Sequence, residues 1–176
     1  MKRTALFAIL ASTTLVAAPL AAEPLDISEV EVVTDLEAVD ANALDRWPEI
    51  AADLTVAITS GLDELMEEDG RYSVSVDVTE ISNAGATMLG EDGEFNRIEG
   101  WAYVNGPGSD MPLEKLKIEL EAEEGVALVP ADVTIKAPER ESFYDALVAG
   151  FAYEVSSDVS ELQTEWLKPD QAEDNS

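Results

Sequence analysis

Residues 44–65 read LDRWPEIAADLTVAITSGLDEL, and residues 71–79, just beyond them, read RYSVSVDVT. The hydrophobic period changes between the two stretches. In the first, Leu44, Trp47, Ile50, Ala51, Leu54, Ile58, Leu62 and Leu65 recur every three or four residues, which gathers them on one face of a helix. That stripe predicts a helix of about 20–25 residues. Pro48 is tolerated only in a first turn, so the helix starts near Ala43 to Trp47 or is kinked there. Gly70 is its natural stop, after the acidic run Met66-Glu67-Glu68-Asp69. In the second stretch Tyr72, Val74, Val76 and Val78 alternate with Ser73, Ser75, Asp77 and Thr79, the period of a half-buried strand.

Further strands lie on either side. Glu29–Val33 precedes the helix. Asn96–Val104 carries Trp101 and Tyr103 on one face, with Gly100 as a mark of a bulge. Leu116, Ile118, Leu120 and Ala122 alternate with Lys115, Lys117, Glu119, Glu121 and Glu123. Val126–Val129 and Val133–Ile135 are short apolar runs of opposite phase around Pro130. Asn83–Leu89 is a candidate for one more short strand. Asp92-Gly93 and Asn105-Gly106-Pro107-Gly108 mark turns. A second helix is expected over Glu141–Trp166, with Phe143, Leu147, Phe151, Val155, Leu162 and Trp166 near one face. Ala149, Gly150 and Ala152 would let another element come close.

A strand, a long helix and a returning strand suggest a crossover pair, and the later strands suggest an antiparallel meander. The expected class is therefore α+β: a two-layer sandwich, with a mixed sheet of four to six strands and two long helices packed on one face. The order is roughly β-α-β-β-β-β-α.

Residues 1–22 differ from the rest. Lys2 and Arg3 precede an apolar stretch, Ala21-Ala22 closes it, and no acid occurs before Glu23. This is the pattern of a secretory signal peptide cleaved after Ala22. The expected organisation is a signal at 1–22, a single domain at 23–168 and a disordered acidic tail at 169–176. The expected location is periplasmic or secreted, with no stable membrane anchor after cleavage.

The 176 residues hold 38 Asp and Glu against 10 Lys and Arg, for a formal net charge of −28. Loss of residues 1–22 would remove Lys2 and Arg3 and no acid, which moves the net charge to −30. So acidic a chain lacks the basic footprint of a nucleic-acid binder. There is no Cys and no His. Disulfides, Cys/His metal sites and imidazole-based triads are excluded, and a serine nucleophile has no histidine base. No cofactor is expected.

Carboxylates are the one catalytic group in quantity. Glu64, Glu67 and Glu68, and Glu119, Glu121 and Glu123, fall at helical or strand spacing, but solvated faces account for both sets. Met88–Glu99 can be laid over a calcium-loop pattern, with Asp92, Glu94 and Glu99 as the metal candidates. Met88 and Gly90 then occupy positions that need oxygen ligands, and a polar hairpin tip explains the segment better. Among the aromatics, Trp47, Phe143, Phe151 and Trp166 lie on apolar stripes and are expected in the core. Trp101, Tyr103, Tyr144 and Tyr153 are the candidates for partner contact.

The secretion signal, the strand–long helix–strand opening, the meander and the final helix resemble small envelope proteins of Gram-negative bacteria. That resemblance implies a role in assisting assembly or transport at the outer membrane. Many of those proteins carry a lipidated Cys, and this chain has none. The expected function is that of a non-catalytic periplasmic protein that binds another envelope component, with a basic partner favoured by the charge. The alternatives are a carboxylate-based hydrolase and a low-affinity divalent-cation binder.

Overall fold

The computed structural model describes residues 24–109, 111–122 and 140–166. The signal at 1–22, the apolar runs at 126–129 and 133–135 and the tail at 169–176 lie outside them. In chain order the elements are β1 (Ile27–Thr34), α1 (Ala43–Arg46), α2 (Ile50–Gly61), a 3-10 turn (Asp63–Leu65), β2 (Tyr72–Ser82), β3 (Arg97–Asn105), β4 (Glu114–Glu121) and α3 (Arg140–Trp166).

The described strands form one four-stranded sheet in the order β1-β2-β3-β4. β1 and β2 are parallel, joined by the helical crossover. β2, β3 and β4 form the antiparallel meander. The mixed sheet with helices packed on it is the expected α+β two-layer sandwich.

The first helix differs from its expected length. Pro48 splits the apolar stripe into one turn and a twelve-residue helix. A proline lacks the N–H that would continue the ladder, and it pushes the preceding residue out of helical geometry. Trp47 accordingly sits at φ −135° and ψ 69°. α2 ends at Gly61 instead of running to Gly70. Gly61 is required by packing: a Cβ there would lie 2.5 Å from Ser156 Oγ on α3. Gly70 has another role, since a Cβ there would lie 2.6 Å from the Ile27 carbonyl carbon. The acids at 67–69 therefore do not load the negative end of a helix.

Val74, Val76 and Val78 of β2 point to the helices and are buried, as are Ile98, Ala102 and Val104 of β3. Ile50, Leu54, Ile58 and Leu62 meet them from the first helical segment, and Leu147, Phe151, Val155, Val159 and Leu162 from α3. Gly150 and Ala152 act as the small residues suggest. A Cβ on Gly150 would touch Leu120 of β4 at 3.0 Å, and Ala152 is buried.

The bulge lies opposite Gly100, not within its own strand. The register slips in β2 between Val78 and Glu80, and Gly100 pairs with Val78. Asn83–Leu89 holds no strand. Asn83 and Ala86 exchange both backbone hydrogen bonds, at 2.9 Å each, around Ala84 and Gly85, which both have positive φ. This is a two-residue hairpin turn of the kind that favours Asn and Gly.

Candidate functional site

The sheet has two unlike faces. One is covered by α2 and α3. Among the described residues no element packs on the other, and its side chains form rows across the strands. One row runs Val33, Asp77, Trp101, Lys117, and the next runs Glu31, Ser75, Tyr103, Lys115. Trp101 and Tyr103 are half-buried there, two residues apart on β3.

Their neighbours hold them in place. The Lys115 ammonium lies 3.9 Å from the Trp101 ring centroid and 5.3 Å from that of Tyr103. This is a cation over aromatic faces. The Asn105 amide donates to Ser75 Oγ at 3.1 Å in the adjoining row. At the other end of the face, the Arg97 guanidinium bonds Glu99, lies 2.8 Å from Glu119 and 3.3 Å from Glu121, and reaches Glu80 at 3.8 Å. Lys117 bridges Glu119 at 3.0 Å and Glu99 at 3.4 Å. The hydrogen bond from Arg97 holds the Glu99 carboxyl below the usual glutamate range, against the opposing effect of its burial. In return Glu99 raises Arg97, and Glu119 raises Lys117. Arg97, Glu99 and Lys117 are all charged at neutral pH.

The four aromatic candidates do not share one surface. Trp101 and Tyr103 are together on the open face. Tyr153 is 68% exposed on α3, in the helix layer on the other side of the sheet. Tyr144 packs with the core on α3 and is only 8% exposed. Its ring stacks on Trp47, with centroids 4.2 Å apart and planes 15° apart. Its hydroxyl donates to Asp53 Oδ2 at 2.5 Å. Phe95 meets both rings edge-on, and the Trp47 indole N–H donates to the Gly93 carbonyl at 2.8 Å. Burial, then the Asp53 hydrogen bond and the surrounding carboxylates, push the Tyr144 hydroxyl above the usual tyrosine range. On α3, Tyr144 stands three and seven residues before Leu147 and Phe151, so it shares the buried side of the helix with them.

The metal candidates do not assemble. Asp92 Oδ1 accepts the Glu94 backbone N–H at 3.2 Å, which is a local turn. Glu99 stands on β3 among Arg97 and Lys117. Among the described residues no three acids gather in a way that could hold a metal ion. Glu119 and Glu121 line the polar face expected of them, where they meet Arg97. No helix among the described residues is long and apolar enough to cross a membrane.

The chain was compared with known proteins. No family model and no curated sequence matches it. Solved structures of similar fold include a dodecamer of a PelC variant from Paraburkholderia phytofirmans, at 13% identity and a TM-score of 0.42, covering 79% of this chain and 91% of that one. The unsubstituted PelC dodecamer matches at 12% identity and a TM-score of 0.40, over 79% and 92% of the two chains. A candidate lipoprotein from Caulobacter crescentus CB15 matches at 11% identity and a TM-score of 0.39, over 77% and 90%. These are likenesses of architecture to bacterial proteins and nothing more specific.

Proposed function

We propose that this is a non-catalytic binding protein of an extracytoplasmic compartment, which engages another envelope protein through the open face of its sheet. The observation that carries this reading is the placement of Trp101 and Tyr103 side by side on a face that no described element covers. Large aromatics supply much of the energy at interfaces, and a charged rim around them supplies orientation.

The rim also suggests the partner. Glu31, Asp77, Glu80, Glu99, Glu119 and Glu121 outnumber Arg97, Lys115 and Lys117 on this face, and the whole chain is strongly acidic. A basic partner would be drawn in over long range, and its association rate would fall with added salt. Glu99 is held ionised by Arg97. That suits a contact surface better than a hydrolase, which needs one carboxyl with a raised pKa beside an ionised one.

The test is capture from the native envelope, followed by reconstitution with the purified partner. Trp101→Ala combined with Tyr103→Ala should weaken the reconstituted complex by at least ~10-fold, the loss of ~1.4 kcal/mol or more expected for central aromatic anchors. The thermal midpoint of the variant should stay near that of the native protein. A native protein that runs as a free monomer at every salt concentration overturns the reading. So does a double variant that binds as tightly as the parent.

A further inference from the structure

The strongest unassigned feature lies away from the open face, where the starts of α2 and α3 meet. Trp47, Pro48, Glu49, Asp53, Tyr144 and Asp145 line an open depression of about 370 Å³. That is room for a small organic group.

Its lining is organised. Trp47 is fixed by its stack on Tyr144, by the edge of Phe95 and by its hydrogen bond to the Gly93 carbonyl. Tyr144 is fixed by the same stack and by its bond to Asp53. Three elements distant in sequence therefore converge to hold two aromatic side chains beside three carboxylates. Helix dipoles account for the acids at the start of α2, since negative charge is favourable there. They give no reason for an indole and a phenol to be clamped beside those acids in a concavity.

The chemistry of the lining selects the ligand. An anion would be repelled by Glu49, Asp53 and Asp145. An apolar ligand would strip water from those acids and return nothing. A hard inorganic dication needs several converging oxygen ligands, and no such cluster forms among the described residues. An organic cation satisfies both halves of the site. Its charge meets carboxylates, and its carbon skeleton and delocalised or methylated head lie against the half-buried indole of Trp47, which Tyr144 backs.

We propose that this pocket binds one organic cation, an alkylammonium or guanidinium group. The group could come from a free amine or from a Lys or Arg side chain of a polypeptide. The site does not depend on the sheet-face reading, since it uses none of the same residues.

The experiment is a titration of the full chain followed by the indole N–H signals of its three tryptophans, at about 0.15 M salt to screen the general negative field. The Trp47 signal is assigned with Trp47→Phe. The probes are putrescine, a capped Gly-Arg-Gly peptide and, as a neutral control, capped leucine. The Trp47 signal should shift saturably with a cationic probe while those of Trp101 and Trp166 stay still. Asp145→Asn and Glu49→Gln should each weaken that binding several-fold, and Glu31→Gln on the open face should leave it unchanged. Tighter binding of the peptide identifies a polypeptide as the source, and tighter binding of putrescine a free amine; either supports the site. The proposal is overturned if no cationic probe gives a saturable shift at Trp47, if all three indoles respond alike, or if capped leucine binds as well. Trp101→Ala with Tyr103→Ala should leave this titration unchanged, so failure of the sheet-face reading and failure of the pocket are separately visible.

Discussion

The two faces of one sheet are built from alternate residues of the same strands, yet they follow different rules. Toward the helices, Val76, Val78, Ile98 and Ala102 are fully buried in the hydrophobic core. Away from them, Asp77, Glu99 and Trp101 lie on the same strands, one residue out of phase. The first face is stabilised by removal of apolar surface from water. The second gains little stability from its ion pairs, because exposed pairs contribute roughly 0–1 kcal/mol each. The covered face holds the fold together, and the open face is free to be specified by something else.

Removal of one large side chain from each face tests that division. Phe151 of α3 is fully buried in the core. Phe151→Ala should cost about 3–5 kcal/mol and lower the thermal midpoint by roughly 10–20 °C. Trp101→Ala deletes a larger side chain from the open face and should cost well under ~1 kcal/mol. Calorimetry of the two variants measures both. Equal losses would mean that the open face is part of the core in solution.

The boundary between the faces is tested next. Gly100 sits in β3 where the slip in β2 brings the Asp77 carbonyl inward. A Cβ at Gly100 would lie 2.5 Å from that oxygen and 3.2 Å from the Val78 Cα. Both are backbone atoms and cannot move aside alone. Gly100→Ala should therefore cost about 1–3 kcal/mol, and hydrogen exchange should rise at the paired amides of β2 and β3. Gly85→Ala, with nothing within 4 Å but a φ of +80°, isolates backbone strain from crowding. It should cost less, about 1 kcal/mol, without that local change in exchange.

The same comparison separates what the sequence discloses from what it hides. Both faces of β2, β3 and β4 are legible from a period of two, because each side chain's direction is set by its own strand. The placement of Trp101 and Tyr103 follows from that alone. The helix break is half legible: Pro48 marks the position, but the demand for a glycine at position 61 comes from Ser156, nearly a hundred residues away in sequence. The Trp47–Tyr144 pocket is the least legible. Each residue lies at stripe spacing on its own segment, so neither is distinguished from ordinary core, and their stacking across distant segments leaves no local signal. The short hairpin at Asn83–Ala86 carried a local signal in Asn83 and Gly85 that the apolar residues around it obscured.

The smallest expected effects are in pH dependence, and here the open face and the helix layer should differ in sign. On the open face, the Arg97 hydrogen bond lowers Glu99 in the folded state. The unfolded chain then takes up a proton near pH ~4.3 while the folded one stays ionised. The stability this contributes is present above that value and is lost as the pH falls through the lowered folded one. On α3, in the helix layer, Asp158 is shifted the other way, raised first by burial and then by the Glu154 charge. Its ionised form destabilises the fold at neutral pH, and that penalty is relieved as the pH falls through the raised value. Asp158→Asn should therefore increase stability at pH 7, and its advantage should shrink on acidification. Glu99→Gln should decrease stability at pH 7, and its deficit should shrink at still lower pH. Both effects should be under ~1 kcal/mol, given how much solvent reaches these side chains. Urea midpoints measured from pH 7 to pH 3 would show them as two curves approaching the parent from opposite sides. If both variants lie on the same side at pH 7, the electrostatic distinction between the open face and the helix layer is wrong, and only the difference in packing remains.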